Sequence, residues 1–217
     1  RVSGAGPELA GAVFQQRAAV NRSYMLSLKT ENLLQNHYIE AGLWGPRYFV
    51  GDMHGGWESP TCQLRGHFLG HWLSAAASLA ATTGDQEVKG KADYIISELA
   101  RCQYENGGEW AGSIPEKYLD WVARGKHVWA PHYTLHKTLM GLWDMYAIGG
   151  NNQALEILVK WAHWFHRWSA DFSQEQMDEI LDVETGGMLE VWANLYGLTG
   201  EREHLDLVER YDRRRFF

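Results

Sequence analysis

Three apolar segments along the chain share one plan. They are residues 73–85, 139–151 and 189–201, and each runs into glycine near its end. Glycine readily adopts the left-handed conformation that closes a helix, and the polar residues after each glycine can open another helix. Each segment is therefore predicted to be the first helix of a helical hairpin.

The second helix of each hairpin has a different pattern. Its apolar residues recur every three or four positions, as in Val88, Ala92, Ile95, Leu99 and Cys102, and in Leu155, Leu158, Ala162, Phe165 and Trp168. This spacing predicts one buried and one solvent-facing side, whereas the first helices are apolar nearly all round and must be enclosed. Alternating inner and outer helices predict an all-α fold, a helical toroid. The uneven glycine positions, 84, 150 and 200, disfavour a solenoid of regular repeats.

An earlier stretch also has a helical pattern. It runs from about Leu9 to Ile39 and is predicted to pack against the first hairpin, through Val13, Val20, Tyr24, Leu28 and Leu34. The prediction is about seven helices in total.

The connections between helices differ in length. The turns near 84, 150 and 200 are short, whereas residues 106–131 and 169–186 form long loops, which often carry function. These loops lead into the first turns of inner helices, so those turns are predicted to share one rim of the ring.

Polar and aromatic residues collect at this predicted rim. Before the first inner helix lie Trp57 and Glu58, and His67 and His71 inside it are four residues apart, hence on one helical face. The other two inner helices add Trp129, Tyr133, His136, Lys137 and Glu190. Aromatic rings can stack on a sugar ring, and neighbouring polar groups can form hydrogen bonds with its hydroxyl groups. Carbohydrate binding is therefore our leading interpretation.

Each of these residues also has a structural interpretation. A buried histidine is more often a packing element with hydrogen-bond partners. The His67 and His71 pair could share a metal ion with Glu58 or Cys62, but no HExxH motif supports this, and we predict no metal site in this chain. Glu58 and Glu184 could simply stabilise helix amino termini. A glycosidase needs two carboxylates, and spacing alone leaves Glu58, Glu184 and Glu190 as equal candidates.

Composition narrows the function class. A net charge of −7 argues against a nucleic-acid partner, and no apolar run approaches the roughly 18 residues of a membrane span. We therefore expect a soluble protein, and leave open whether it is secreted or periplasmic. Two cysteines give no disulfide framework. The chain begins without methionine and its last residues keep a helical pattern, so we interpret both ends as truncated.

Three ordered motifs carry a family resemblance. GWESPTCQLRGHFLGHWLSA, VWAPHYTLHK with GLWDMY, and ETGGMLEVWANLYGLTG resemble the β-L-arabinofuranosidases of glycoside hydrolase family 127 and the related family 146. The resemblance implies an (α/α)6 toroid of twelve helices followed by β-sandwich domains, with residues 1–217 as the amino-terminal portion, about half of the ring. It also implies that terminal β-linked L-arabinofuranose is removed with retention, by a zinc-bound cysteine nucleophile located beyond residue 217. Neither Cys62 nor Cys102 fits the cysteine motif.

The resemblance implies roles for several residues. His136 matches a position that contacts the sugar, Trp57 and Glu58 match the rim segment, and Glu190 falls in the third motif. We expect the fragment alone to bind no zinc and to be inactive, and we expect its partners to be an arabinofuranose-containing carbohydrate and the rest of the enzyme. The alternatives are a non-catalytic helical module that binds carbohydrate or protein, and another (α/α)6 sugar-cleaving enzyme, such as an unsaturated glucuronyl hydrolase.

Overall fold

The computed structural model describes residues 11–43 and 52–213. Within these ranges the chain forms ten α-helices, one short 3₁₀ helix (Gly56–Glu58) and no β-strand, which confirms the predicted all-α class. The helices are α1 (Ala12–Ser27), α2 (Thr30–Glu40), α3 (His67–Thr83), α4 (Gln86–Glu105), α5 (Lys117–Ala123), α6 (Pro131–Ala147), α7 (Asn152–Ser169), α8 (Gln174–Val183), α9 (Met188–Thr199) and α10 (Arg202–Tyr211). None of the helices in the described ranges has the length and apolarity needed to cross a membrane. The predicted helix start at Leu9 lies outside the described residues.

Six of the helices form three hairpins in two layers. Helix α3 pairs with α4, α6 with α7, and α9 with α10. In the inner layer α6 packs between α3 and α9, and in the outer layer α7 packs between α4 and α10. The predicted face of α4 is buried over its whole length, and the share of a closed ring that these layers represent stays a prediction.

Short capped turns close the hairpins, as the glycine pattern predicts. Gly84 and Gly200 have φ values of 73° and 68° and end α3 and α9. The Asp85 side chain then accepts hydrogen bonds from two backbone N–H groups in the first turn of α4. Asn151 caps α7 in the same way. Such caps satisfy backbone donors that have no partner inside the helix.

Two glycines bring α3 and α6 into backbone contact. A Cβ atom added at Gly70 would lie 1.9 Å from the carbonyl oxygen of Lys137, and one added at Gly141 would lie 2.8 Å from the carbonyl oxygen of Gly70. Any side chain at Gly70 would therefore push the two helices apart. This close approach brings the first turns of both helices side by side.

The amino-terminal stretch departs from its predicted form. It is two helices rather than one, because Leu28 and Lys29 adopt extended backbone conformations between α1 and α2. The Lys91 ammonium group donates hydrogen bonds to three backbone carbonyls at this break, among them those of Met25 and Leu26, both at 3.2 Å. A cation on α4 therefore compensates for the interrupted helix.

The predicted packing of α1 is also wrong in part. Val13, Val20 and Tyr24 are exposed, whereas Met25 is the buried residue of this helix. Arg22 forms ion pairs with Asp85 and Glu87 at the start of α4. Helix α1 is therefore joined to α4 by ion pairs, while three of its predicted core residues face solvent.

The two long loops contain short helices that the pattern did not predict. Helix α5 lies in the first loop and α8 in the second, and α8 buries Met177, Ile180 and Leu181. These helices and the divided amino-terminal stretch account for ten helices instead of about seven. Short helices have too few turns to produce a clear periodicity.

Candidate functional site

The first turns of the three inner helices meet at one rim. The Tyr133 ring on α6 lies 5.9 Å from the His67 ring on α3, and its hydroxyl lies 3.4 Å from Nε2 of His71. From the α9 side, Gly187 packs so closely that an added Cβ would lie 2.5 Å from the His136 ring. The rim motifs that are far apart in sequence are therefore neighbours in space.

Glu58 is bound to the start of α3. One carboxylate oxygen accepts hydrogen bonds from the backbone N–H of Phe68 at 3.0 Å and from Nδ1 of His67 at 2.8 Å. The other oxygen accepts from the backbone N–H of Gly66 at 2.7 Å. Burial alone would raise the pKa of the Glu58 carboxyl, but these hydrogen bonds bring it below its usual value. Glu58 therefore stays ionised and stabilises the helix amino terminus.

His67 is positioned by this carboxylate. Its Nδ1 lies 2.8 Å from Glu58 and 2.9 Å from the carbonyl oxygen of Leu64, so that nitrogen carries the proton. The hydrogen bond to Glu58 raises the pKa of His67, although burial opposes the rise. The ring therefore holds a fixed orientation at the rim.

Glu184 makes a similar arrangement at α6. Its two carboxylate oxygens accept hydrogen bonds from the backbone N–H groups of His132, at 2.8 Å, and of Tyr133. Burial raises the pKa of Glu184 to about 7, although both backbone hydrogen bonds oppose the rise. Glu184 precedes α9 in sequence but stabilises the first turn of α6, so it joins two neighbouring hairpins.

We call His67, His71 and His136 the histidine cluster. The His67 and His71 rings lie 6.1 Å apart and nearly perpendicular, and His71 is exposed. Burial lowers the pKa of His71, and the positive charge of Lys137 lowers it further. The Lys137 ammonium lies 4.9 Å above the Tyr133 ring. The side chains beside the exposed His71 can thus offer both donors and acceptors.

His136 has the most unusual environment of the cluster. Only 7% of the residue is exposed, and neither ring nitrogen has a hydrogen-bond partner in the protein. Burial, with smaller contributions from the charges of Lys137 and His71, lowers its pKa to about 4. The ring is therefore neutral at neutral pH, and its one donor and one acceptor have no partner in the protein.

Of the remaining predicted residues, Trp57 contacts the cluster, whereas Trp129 and Glu190 interact with other residues. The Trp57 ring is 6.3 Å from the His67 ring, and the backbone N–H of Trp129 donates to Gln63 on the segment before α3. Glu190 is exposed on the first turn of α9. Burial raises the pKa of the Asp144 carboxyl on α6, and the charge of Glu190 adds to the rise. Glu190 therefore acts electrostatically on Asp144, one helix away.

Three residues of α2 support the rim, and the sequence analysis missed them. The side chains of Gln35 and Asn36 donate to the carbonyl oxygen of Glu58 at 2.8 and 2.9 Å. His37 is fully buried without a partner for either nitrogen. The signal was present as three consecutive polar residues inside a helix that also buries Leu33 and Leu34.

The resemblance implies a zinc site beyond residue 217, and none is expected in this chain. In the described ranges no group of three or more His, Cys, Asp or Glu side chains could hold a metal ion. Glu58 and His67, which the sequence analysis considered as possible ligands, are engaged with each other and with the backbone. No step of the chemistry is therefore assigned to a metal held by these residues.

Comparison with known families decides the classification. The sequence model of the catalytic domain of β-L-arabinofuranosidases, GH127, matches residues 8–217. The chain belongs to this family. No curated protein matches it. The match spans all three rim motifs of the GH127 domain, so the histidine cluster lies within the catalytic-domain homology.

Proposed function

We propose that this GH127 domain binds the terminal β-linked L-arabinofuranosyl residue of plant-type glycans, and that its full-length parent removes this residue with retention. Family membership supports the substrate class. The observation that carries the proposal is His136, a buried, neutral imidazole whose two nitrogens have no protein partner. Buried polar groups usually have partners, and a sugar with several hydroxyl groups would supply them.

The surrounding groups suit the same ligand. Tyr133 and His71 can exchange hydrogen bonds with hydroxyl groups, and Lys137 can donate to ring or hydroxyl oxygens. Trp57 offers an aromatic face beside His67. Glu58 and Glu184 hold the helix starts that carry these groups.

We further propose that the nucleophile and the zinc ligands come from the part of the parent beyond residue 217, as the family resemblance implies. Zinc there would lower the pKa of the nucleophilic cysteine. Inside this chain Cys102 is buried, which raises its pKa to about 12 and keeps its thiol protonated. The 217-residue chain is therefore expected to be inactive without the rest of the toroid and the β-sandwich domains.

Hydrolysis of p-nitrophenyl β-L-arabinofuranoside tests this proposal. We would compare the full-length protein, its His136→Ala variant and the 217-residue chain, with folding checked by circular dichroism. His163→Ala is the matched control, because His163 pairs with Glu203 between the outer helices. We expect only the full-length protein and the control to be fully active, with kcat/KM lower by about tenfold or more in His136→Ala, since a buried ring loses its hydrogen bonds to the sugar.

A non-catalytic binding module is the second candidate. It is favoured by the engagement of the Glu58 and Glu184 carboxylates with backbone N–H groups, because both are then occupied as helix caps. If the folded, zinc-loaded full-length protein binds L-arabinose but cleaves no arabinofuranoside, the hydrolase proposal is wrong and the binding module is supported.

A further inference from the structure

Trp129 combines a firmly held backbone with an exposed ring. Its residue is 46% exposed, in the loop that enters α6. The next residue, Ala130, has a φ of 50°, and it is the one non-glycine residue with positive φ in the described ranges. Such a conformation is unfavourable for alanine and persists only where the surrounding structure enforces it.

The contacts around Ala130 show how the conformation is enforced. Its carbonyl oxygen accepts from the backbone N–H of Thr134 at 3.0 Å and from the Thr134 hydroxyl at 2.9 Å, which starts α6. On the other side, the backbone N–H of Trp129 donates to Oε1 of Gln63 at 2.8 Å. The chain is thus fixed at Trp129 and immediately after it, and the residue is still nearly half exposed.

The position of Trp129 relates it to the histidine cluster. Gln63 belongs to the segment between Trp57 and His67, and Tyr133 lies four residues after Trp129, in the first turn of α6. Tyr133 contacts His67 and lies within reach of His71. The backbone of Trp129 is therefore tied to both chain segments that carry cluster residues of α3 and α6.

An exposed indole beside a polar pocket suits a sugar ring. The flat apolar face of tryptophan can cover the C–H face of a pyranose or furanose, while the hydroxyl groups at the ring edge stay in water. A packing role would bury the ring, and a purely structural turn would use glycine at position 130 instead of a strained alanine. The strained turn is accounted for if the orientation of the indole matters.

We propose that Trp129 forms a second subsite, which stacks on the sugar that follows the terminal arabinofuranosyl residue of the glycan. This inference rests on the proposed function and deepens it. The preferred substrate is then an oligosaccharide of at least two sugars, rather than one arabinofuranosyl unit on a small aglycone.

The test separates the two subsites with two ligands. On the full-length protein and its Trp129→Leu variant, we would measure kcat/KM for a β-linked L-arabinofuranose disaccharide and the inhibition constant of free L-arabinose, which reports the terminal subsite alone. Tyr94→Leu is the control, because Tyr94 is an exposed aromatic residue on the outer helix α4. We expect Trp129→Leu to lower kcat/KM for the disaccharide by about tenfold, equivalent to about 1.4 kcal/mol, with the inhibition constant and the control unchanged.

Other outcomes overturn the inference. If Trp129→Leu lowers kcat/KM for the disaccharide and weakens inhibition by L-arabinose to the same extent, Trp129 belongs to the terminal subsite. If neither quantity changes, the indole contacts no sugar. If the unmodified protein neither cleaves the disaccharide nor is inhibited by L-arabinose, the proposed function fails first, and the second subsite fails with it. That last outcome is recognised without any Trp129 variant.

Discussion

At the scale of single residues, Glu58 joins a loop, a helix start and a histidine. Its two oxygens accept from the backbone N–H groups of Gly66 and Phe68 and from Nδ1 of His67. A glutamine would keep one accepting oxygen but place an NH₂ group against these donors. We expect Glu58→Gln to lower the free energy of unfolding by about 1–3 kcal/mol, as measured by urea denaturation.

The control for this substitution is Glu179→Gln, which changes an exposed glutamate on α8. It should leave the free energy of unfolding within about 0.5 kcal/mol of that of the unmodified chain. Equal midpoints for Glu58→Gln and Glu179→Gln would show that the helix-start contacts contribute no stability.

Sequence reasoning reached only part of this arrangement. The four-residue spacing placed His67 and His71 on one helical face, and their rings are neighbours. The interpretation that Glu58 and Glu184 stabilise helix amino termini is confirmed by their hydrogen bonds to the starts of α3 and α6. The sequence did not show which helix Glu184 stabilises, because that helix begins more than fifty positions before it.

At the scale of helices, the contact between α3 and α6 depends on the absence of a side chain at Gly70. A Cβ there would overlap the Lys137 carbonyl, a backbone group that cannot move away without moving the helix. We expect Gly70→Ala to destabilise the chain by about 1–3 kcal/mol or more. Thermal unfolding followed by circular dichroism would measure the effect.

Gly90 provides the opposite case. It lies inside α4, where an added Cβ would meet nothing within 4 Å. Gly90→Ala should raise stability by up to about 1 kcal/mol, because alanine has the higher helix propensity. If both alanine substitutions shift the unfolding temperature in the same direction, the backbone contact does not limit the approach of α3 to α6.

The helical hairpins were predictable because their signals are local. Gly84 ends α3 and Asp85 caps α4, and each acts within a few residues of its own position. The apolar residues of α4 recur over five helical turns. The break between α1 and α2 was not predictable, because it is compensated by Lys91, more than sixty residues away. The ion pairs of Arg22 with the start of α4 join residues that are equally far apart in sequence.

At the scale of the whole molecule, buried histidines make the fold sensitive to acid. Burial lowers the pKa of His37, His132 and His136 to about 4, from 6.5. Their folded forms bind fewer protons than the unfolded chain, so this stability is present above pH 6.5 and is lost as pH falls toward 4. Glu184, with its pKa raised to about 7, acts in the opposite direction between pH 4.5 and 7, and so do Glu40 and Asp144, whose pKa values are also raised. The lowered pKa values of His54, His71 and His204 add to the effect of the three buried histidines. The histidines outnumber these carboxyl groups, so we expect the unfolding temperature to fall between pH 6.5 and 4.

His37→Leu tests the origin of this acid sensitivity. His37 is fully buried and its ring nitrogens have no hydrogen-bond partner, so leucine removes a titrating group without breaking a hydrogen bond. The slope of the unfolding free energy against pH should decrease by up to about 1.4 kcal/mol per pH unit in this range. The exposed His127→Leu is the control. An unchanged slope in His37→Leu would refute the assignment.

The composition gave the charge and the histidine count, but none of these pKa shifts. Burial creates them, and burial is known only once the layers of helices are assembled around each ring. The overall class of fold was accessible from alternating patterns, whereas the electrostatics of His136 required the position of Lys137 and His71 in space.

The two cysteines differ in accessibility, so the native chain can be labelled selectively at one of them. Cys102 is enclosed in the core with a protonated thiol, whereas Cys62 lies partly accessible in the segment between Trp57 and α3. A thiol-reactive fluorophore applied to the native chain at neutral pH therefore attaches at one place, beside the rim. Its emission would report the arrival of a sugar without any engineered cysteine.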